Sequence, residues 1–380
     1  MFLPFVILTC LFICSINGFS PTIFFSDPVP LEFELPQMTS DRIVSTVIAN
    51  VDGNDDPDAI IFYAMSTTTT QTRIKWHVVT SGASERIQSS ANSWTQSYLL
   101  TQRRQPSLNH YSCSYSCGCG IYGCSTCWSS LTLFAHFQRN FAFASAQLNN
   151  NNLADVVMIS ADFDGHRDGY TTCPFRYQYH ITWRVVVFRD FTQDGRVSTI
   201  RTSDGFSTGV TEWQSARTGD FPTALRVETD SSVCSGQSNH PHLATFLIRR
   251  ARIHLCINAE AGSVFISSQN RYLPTSADAF ATSTFFKVNS LWYSLIMNKN
   301  KQYFILPDST SNSLTTRTLG TPATDSYMGI GAYDFNGDGV DDLWMLECPE
   351  TGKCQYRHGI IYDPSIDSTG ADSNYVNQYL

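Results

Sequence analysis

The sequence predicts an all-β protein: a β-propeller of four-stranded blades, with five readable repeats and five to seven blades, closed by an N-terminal strand. Three observations carry this. Short β-branched and aromatic runs, separated by Gly, Asp, Asn and Ser, recur along the chain with hardly any helical periodicity. One order of events returns several times: an apolar strand, a short polar loop, a second apolar strand, then a hairpin of two more. At 380 residues, 42% hydrophobic and 13% aromatic, the chain can fill a packed core.

The chain opens on an apolar run from Met1 to Cys14, too short to span a bilayer, followed by the small and polar residues Ser15 to Gly18. Residues 1–18 are therefore expected to be a secretory signal peptide cleaved near Gly18. The basic segment that usually starts such a signal is missing, which leaves an internal anchor as the alternative. No later segment approaches ~18 consecutive apolar residues. Residues 19–380 are expected to form a single domain, secreted, monomeric and without membrane insertion after signal cleavage.

The clearest repeat runs Phe141 to Gln147, a loop from Asn149 to Ala154, then Asp155 to Ser160, Ile181 to Phe188, a turn at Thr192 to Gly195, and Arg196 to Ile200. Four strands per copy is a propeller blade. The same order is predicted for Ile43 to Ile48, Asp58 to Phe62 and Arg73 to Val79, with a turn at Ser81 to Ala83. A third copy is expected at Trp213 to Ala216, Ala224 to Val227, Ile253 to Ile257 and Val264 to Ile266, and a fourth at Phe285 to Val288, Trp292 to Ile296 and Gln302 to Leu306. The last copy, Gly329 to Tyr333, Asp342 to Leu346 and Cys354 to His358, stops after three strands. Thr22 to Phe25 is the segment expected to complete it, because closing the ring removes exposed sheet edges. The loops align on residues 52, 149, 218, 289 and 336. The long first interval holds either a further blade or a Cys-rich insertion at about 105–130. A β-sandwich with unrelated loops is the alternative architecture.

Of 12 Cys, two leave with the signal and ten remain, an even set suited to an oxidising compartment. Cys234 with Cys256, and Cys348 with Cys354 across a Pro/Gly turn, are the expected pairs. Cys173 is the candidate sixth partner for Cys113, Cys117, Cys119, Cys124 and Cys127, although Cys124-x-x-Cys127 also has zinc-ligand spacing.

With 33 acidic and 25 basic side chains the formal charge is −8, which excludes a dedicated nucleic-acid binder because a phosphate-gripping face must be basic. The acidic excess is almost all Asp, the residue of turns and oxygen-ligand loops. In Asp334-Phe-Asn336-Gly-Asp338-Gly339-Val340-Asp-Asp342, oxygen donors stand at positions 1, 3, 5 and 9, with the Val340 carbonyl at 7 and a glycine at 6. A hard cation such as Ca²⁺ takes about 6–8 oxygens, and alternation lets a tight loop aim every second side chain inward. Met345 stands where an EF-hand would carry Glu, so the expected site is strand-loop-strand. Asn50-Val-Asp52-Gly-Asn54-Asp-Asp56-Pro-Asp58 repeats the spacing with fewer charges. Gln147, Asn149, Asn151 and Asp155 keep the shape with one carboxylate, positions 216 to 224 have lost the ligands, and Lys287 occupies position 1 of the fourth copy. Asp162-Phe-Asp164-Gly-His166-Arg-Asp168 is expected to be a solvated turn, or a further cation loop. There is no Gly-x-Ser-x-Gly elbow and no His-Glu-x-x-His pair.

The segments 332–343 and 49–59 resemble the FG-GAP repeat of integrin α-subunit heads and related secreted propellers, including the T-cell immunomodulatory protein type. The resemblance implies Ca²⁺ bound by Asp334, Asn336, Asp338, Val340 and Asp342, and by Asn50, Asp52, Asn54, Asp56 and Asp58, with adhesion or ligand binding as the function. The Phe-Gly and Gly-Ala-Pro signatures of integrin copies are absent. Taken together, the sequence predicts a secreted calcium-binding propeller that binds an extracellular protein or glycan and is not an enzyme. A polysaccharide-active hydrolase or lyase on the same scaffold, and a lectin, are the alternatives.

Overall fold

Val156-Val-Met-Ile159 and Ile60-Ile-Phe62 are unbroken apolar runs, and a strand of that kind buries both faces, so each face needs its own partner sheet. The computed structural model of the chain describes residues 22–25, 27–30, 42–54, 57–68, 71–80, 97–101, 119–120, 123–124, 141–149, 151–168, 176–206, 213–214, 224–229, 231–236, 239–248, 251–260, 264–271, 280–288, 290–298, 302–307, 316–318, 327–334, 339–348 and 354–362. Among them there is no α-helix.

In chain order, β1 (Thr22–Phe25) and β2 (Val29–Pro30) precede β3 (Arg42–Ala49), β4 (Asp58–Thr68), β5 (Gln71–Val79) and β6 (Ser97–Thr101), which pair in sequence as sheet one. A short ladder, β7 (Cys119–Gly120) with β8 (Gly123–Cys124), follows. Sheet two is β9 (Phe141–Ala146), β10 (Asp155–Asp168), β11 (Arg176–Arg189) and β12 (Thr199–Thr202), with β13 (Trp213–Gln214) also on β11. Sheet three is β14 (Ala224–Glu228), β15 (His242–Ile248), β16 (Ala251–Ile257) and β17 (Val264–Arg271). Sheet four is β18 (Phe280–Val288), β19 (Leu291–Asn298), β20 (Gln302–Pro307) and β21 (Thr316–Thr318). Sheet five is β22 (Tyr327–Tyr333), β23 (Asp342–Cys348) and β24 (Gln355–Tyr362), with β1 and β2 on β24. Every pairing is antiparallel, and β1 runs from Thr22 opposite Tyr362 to Phe25 opposite Gly359.

The pleat sends alternate side chains to opposite faces, and neighbouring sheets share what each face presents. Val156 and Met158 join Phe62, Trp76 and Phe143 between sheets one and two, where the Phe62 and Phe143 rings stack 4.2 Å apart. Val157 and Ile159 join Trp183, Phe246 and Leu255 between sheets two and three. Phe285 meets Leu247 between sheets three and four, Phe286 meets Ile330 and Met345 between four and five, and Trp344 meets Ile61 and Tyr63 between five and one. The first strands touch in the same succession: β3 lies against β9 and β22, β14 against β9 and β18, and β18 against β22. A cavity of about 80 Å³ is lined by residues of all five, among them Thr46, Ala144, Arg226, Thr284 and Gly331. At the β22–β3 contact a Cβ on Gly331 would stand 2.5 Å from Ile48 Cγ1, so only glycine permits the approach.

Three expectations are corrected. Ala224–Glu228 is the first strand of sheet three and not its second, so the loop of that repeat is 229–241 and positions 216 to 224 were read out of frame. Trp213–Gln214 belongs to sheet two. The Asp162 to Asp168 segment is neither turn nor loop: it continues β10, with Asp164 opposite His180, so its alternation is that of a strand. In sheet four the first and second strands are joined by a two-residue turn with Ser290 at φ 69°, leaving no room for a ligand loop.

Candidate functional site

The polar loops between first and second strands are built on one recurring residue. Asp58, Asp155 and Asp342 each open the second strand of their sheet, register partners of Ala49, Ala146 and Tyr333. All three are buried. One Asp58 oxygen accepts the Val51 N–H at 2.9 Å, and the equivalent Asp155 oxygen accepts the Leu148 N–H at 2.7 Å. The carboxylate thus closes the loop onto the strand that follows it, satisfying a backbone donor that would otherwise be stranded.

In the loop of sheet one, Asn50 Oδ1 accepts the Gly53 N–H at 2.8 Å while its amide donates to the Asn54 carbonyl. Asp52 accepts from the Asn54 backbone at 3.1 Å and from the Asn54 amide at 2.8 Å. Gly53 takes φ 78° at the bend. Asn50, Asp52, Asn54 and Asp58 therefore sit in one turn whose carboxylate and carboxamide oxygens are of the kind a hard cation takes, with the Asn50 and Asn54 amide N–H groups donating within it. Asp56 lies outside the described residues. In sheet five, Asp334 accepts the Gly339 N–H at 2.9 Å, Gly339 has φ 85°, and Asp342 lies at the base of the same turn. Val340 is bridged to Val288 of sheet four. Asn336 and Asp338 lie outside the described residues. Among the described residues no group of three or more His, Cys, Asp or Glu side chains converges as a metal set.

The loop of sheet two is filled from within. Asn149 and Asn151 turn their amide N–H groups to one oxygen of Asp190, at 2.7 and 2.5 Å, and Ser198 donates to the other at 2.5 Å. The second Asp155 oxygen accepts the Asp190 N–H at 2.9 Å and stands 3.3 Å from Arg189 Nε, while Arg189 Nη1 reaches Glu260 at 2.7 Å. Burial pushes the Asp155 carboxyl up, and the Asp190 and Leu148 N–H groups with the Arg189 charge only partly offset this. Burial acts the same way on Asp190, but the Ser198, Asn151 and Asn149 hydrogen bonds and Arg189 outweigh it and hold that carboxyl low. A donor-lined loop closed on a carboxylate and a guanidinium does not fit a cation. Sequence reasoning missed Asp190 because it is remote from the loop along the chain. The one local signal is its position between a strand and a turn, where Asp tolerates the φ of 56° it adopts.

Sheet three ties its loop covalently. A 3₁₀ turn at Ser232–Cys234 places Cys234 in a disulfide with Cys256 of β16, Cα atoms 5.7 Å apart, the pair the sequence predicts. Cys354 is also disulfide-bonded, and Cys119 and Cys124 are register partners on β7 and β8. Cys113, Cys117, Cys127, Cys173 and the signal segment lie outside the described residues.

The sheets are also stitched at these loops. The Ala154 N–H, at position 8 of the second loop, donates to the Asn50 carbonyl, position 1 of the first, at 2.9 Å. The Asp341 N–H, again at position 8, donates to the Lys287 carbonyl at 2.8 Å, and the Lys287 N–H returns to the Asp341 carboxylate at 2.7 Å. The Lys287 ammonium lies 5.7 Å over the Trp292 ring and not in a loop. Pro57 fills position 8 in sheet one and has no N–H to offer. A cavity of about 420 Å³ opens beside these loops, lined by residues at the ends of β3, β9 and β22.

No family model matches the chain, so the FG-GAP resemblance is not matched at that level, and no curated protein matches it. Among solved structures, it is similar to a triple arginine-to-alanine mutant of AofleA from Arthrobotrys oligospora, at 8% identity over 92% of this chain and 88% of that one, TM-score 0.33. It is similar to Trypanosoma rangeli sialidase at 11% identity, TM-score 0.32, covering 95% of this chain but spanning only 62% of the sialidase. It is also similar to a subtype N11 neuraminidase-like protein of A/flat-faced bat/Peru, at 9% identity over 90% and 97% of the two chains, TM-score 0.30. At such identities and scores, nothing that those proteins bind or do passes to this chain. They correct one expectation nonetheless: with sialidases among the similar structures, the exclusion of an enzyme is withdrawn.

Proposed function

We propose that the chain is a secreted five-bladed β-propeller, one domain over residues 19–380, which binds an extracellular protein or glycan through the loops at one end of its ring. The observation that carries this is the succession of first strands, β3, β9, β14, β18 and β22, each against the next and the last against the first, around a cavity to which all five contribute. The addition of β1 to β24 supports closure by the N-terminal strand. A closed ring of packed sheets is a rigid base on which loops can differ without loss of the fold. The Cys-rich excursion at about 105–130 and the segment 229–241 are such loops. Secretion is supported by the apolar leader and by the Cys234–Cys256 bridge; among the described residues no helix is long and apolar enough to cross a membrane.

Ca²⁺ is part of the same proposal, held by Asp334, Asn336, Asp338, the Val340 carbonyl and Asp342, and by Asn50, Asp52, Asn54, Asp56 and Asp58. The ion would supply charge compensation for clustered carboxylates and a fixed loop shape. Asp58 and Asp342 would anchor each loop to its second strand, and the Asn50 and Asp52 side chains, which fold back on the loop's own N–H groups, support the reading. The experiment is an array of immobilised glycans and extracellular protein domains, probed with the full secreted chain in calcium and after chelation. Retention on one class, with a melting midpoint that falls on chelation, is expected. No retention on either class, with an unchanged midpoint, would sink the proposal.

A further inference from the structure

The cavity of about 420 Å³ beside the loops is within the ~300–1,000 Å³ range of small-molecule sites. Its position is set by the fold: Ala49, Ala146 and Tyr333, which line it, are the last residues of the first strands of sheets one, two and five. Among the described residues no Asp, Glu, Lys, Arg or His lines it. Its polar surface is a hydroxyl and carboxamides, from Ser145, Gln147, Asn152 and Asn50, next to the half-buried ring of Tyr333. The Asn50 amide is used up inside its own loop. Gln147 and Asn152 are different, because both are exposed and neither takes part in a hydrogen bond among the described residues. Elsewhere in the same loop Asn149 and Asn151 are consumed by Asp190, so sheet two spends two of its amides on structure and leaves two facing the cavity.

A carboxamide presents an acceptor and a donor side by side, and a sugar's adjacent hydroxyls present the complementary pair. A tyrosine ring supplies an apolar body with a polar tip, suited to the C–H face of a pyranose. Among the described lining residues a charged ligand would find no counter-ion, and an anionic one would also meet a chain of net charge −8. We infer that this cavity is a binding site for a neutral saccharide, held by Gln147 and Asn152 against Tyr333. The inference rests on the binding reading above and narrows its ligand class.

The test passes the full secreted chain over immobilised neutral gluco-, galacto- and manno-oligosaccharides and over sialylated and sulfated counterparts. The wild type is compared with a Gln147→Ala/Asn152→Ala double variant, and the melting midpoint of each is recorded. The expected result is retention on at least one neutral oligosaccharide, weakened at least tenfold in the double variant, with the midpoint unchanged because both side chains are exposed. Retention insensitive to the double variant, or confined to the sialylated and sulfated probes, overturns the site while leaving the broader binding reading in place. Retention on no oligosaccharide overturns it as well, and retention on a protein domain in the parallel array would then keep the broader reading alive. Should the double variant melt lower, Gln147→Glu, which keeps the side chain's size and adds a charge, is expected to reproduce the loss, and neutral-saccharide retention unaffected by that change would overturn the assignment.

Discussion

Loops 50–58 and 147–155 start from the same template and end as different devices. Both follow the first strand of a sheet, both close on a buried Asp at the start of the second, and both give that Asp the backbone N–H of their second residue. In sheet one the Asn50 and Asp52 oxygens accept the loop's own Gly53 and Asn54 N–H groups, and the Asn50 and Asn54 amides donate within the same loop. In sheet two the Asn149 and Asn151 amides donate instead to Asp190, which lies outside the loop, and Arg189 supplies the positive charge beside Asp155. The difference teaches that a repeated loop can hold its shape with hydrogen bonds of its own, with a buried ion pair or, as sheet three does, with a disulfide.

The largest effect should come from removing the shared anchor where the interior is protein-filled. Asp155→Ala strands the Leu148 and Asp190 N–H groups and leaves Arg189 facing no buried carboxylate. A loss of about 3–5 kcal/mol in denaturant unfolding is expected. A cost below that of an ordinary surface change would mean the loop has another support. Next, Cys234→Ser with Cys256→Ser opens a link across a sequence separation of 22, which should cost about 3 kcal/mol. Equal stability of this pair and the wild type under oxidising conditions would show that the tie is dispensable.

Calcium should separate the first two loops. At tenfold excess over its dissociation constant the ion would add about 1.4 kcal/mol per site. Melting should therefore shift upward with calcium in the wild type and in Asn149→Ala, but less in Asp52→Ala. A shift lost in Asn149→Ala and kept in Asp52→Ala would reverse the assignment of the two loops. The smallest effect is in pH. The Asp190 carboxyl is held below its ordinary 3.8, so its ionised form adds stability that is complete above that value and lost as pH falls through the lower folded value. Asp155 is shifted the other way, and its contribution is present below 3.8 and lost as pH rises through the raised value. Asp190→Asn should flatten the acid limb of stability measured between about pH 2 and 6. An acid limb as steep as before would show that Asp190 is not held low.

Where pattern and structure agree, the signal is local. The turn at Thr192 to Gly195 forms as predicted, with the Gly195 N–H on the Thr192 carbonyl at 2.8 Å, and Trp76 of the neighbouring sheet donates to the Gly195 carbonyl at 2.6 Å. The β1 segment was legible because an apolar strand without a local partner must find one elsewhere. Where pattern failed, two meanings shared one signature. Alternating Asp at 162–168 fits a ligand loop and a strand alike, and only the pairing with β11 separates them. The third repeat slipped because its true loop is long and held by a disulfide, so the short interval at 216–224 looked like the better loop.

By itself the sequence determined most of the inner strands, their order in sheets one, two and five, and the Asp that opens the second strand of those three sheets, since each depends on residues near in the chain. Only the tertiary structure decided which loop is closed by Asp190 and which amides are left facing the cavity. Those choices are made by side chains that lie far apart in the chain, Asn149 and Asn151 against Asp190, and hydrogen-bond satisfaction between distant residues leaves no mark on the local pattern.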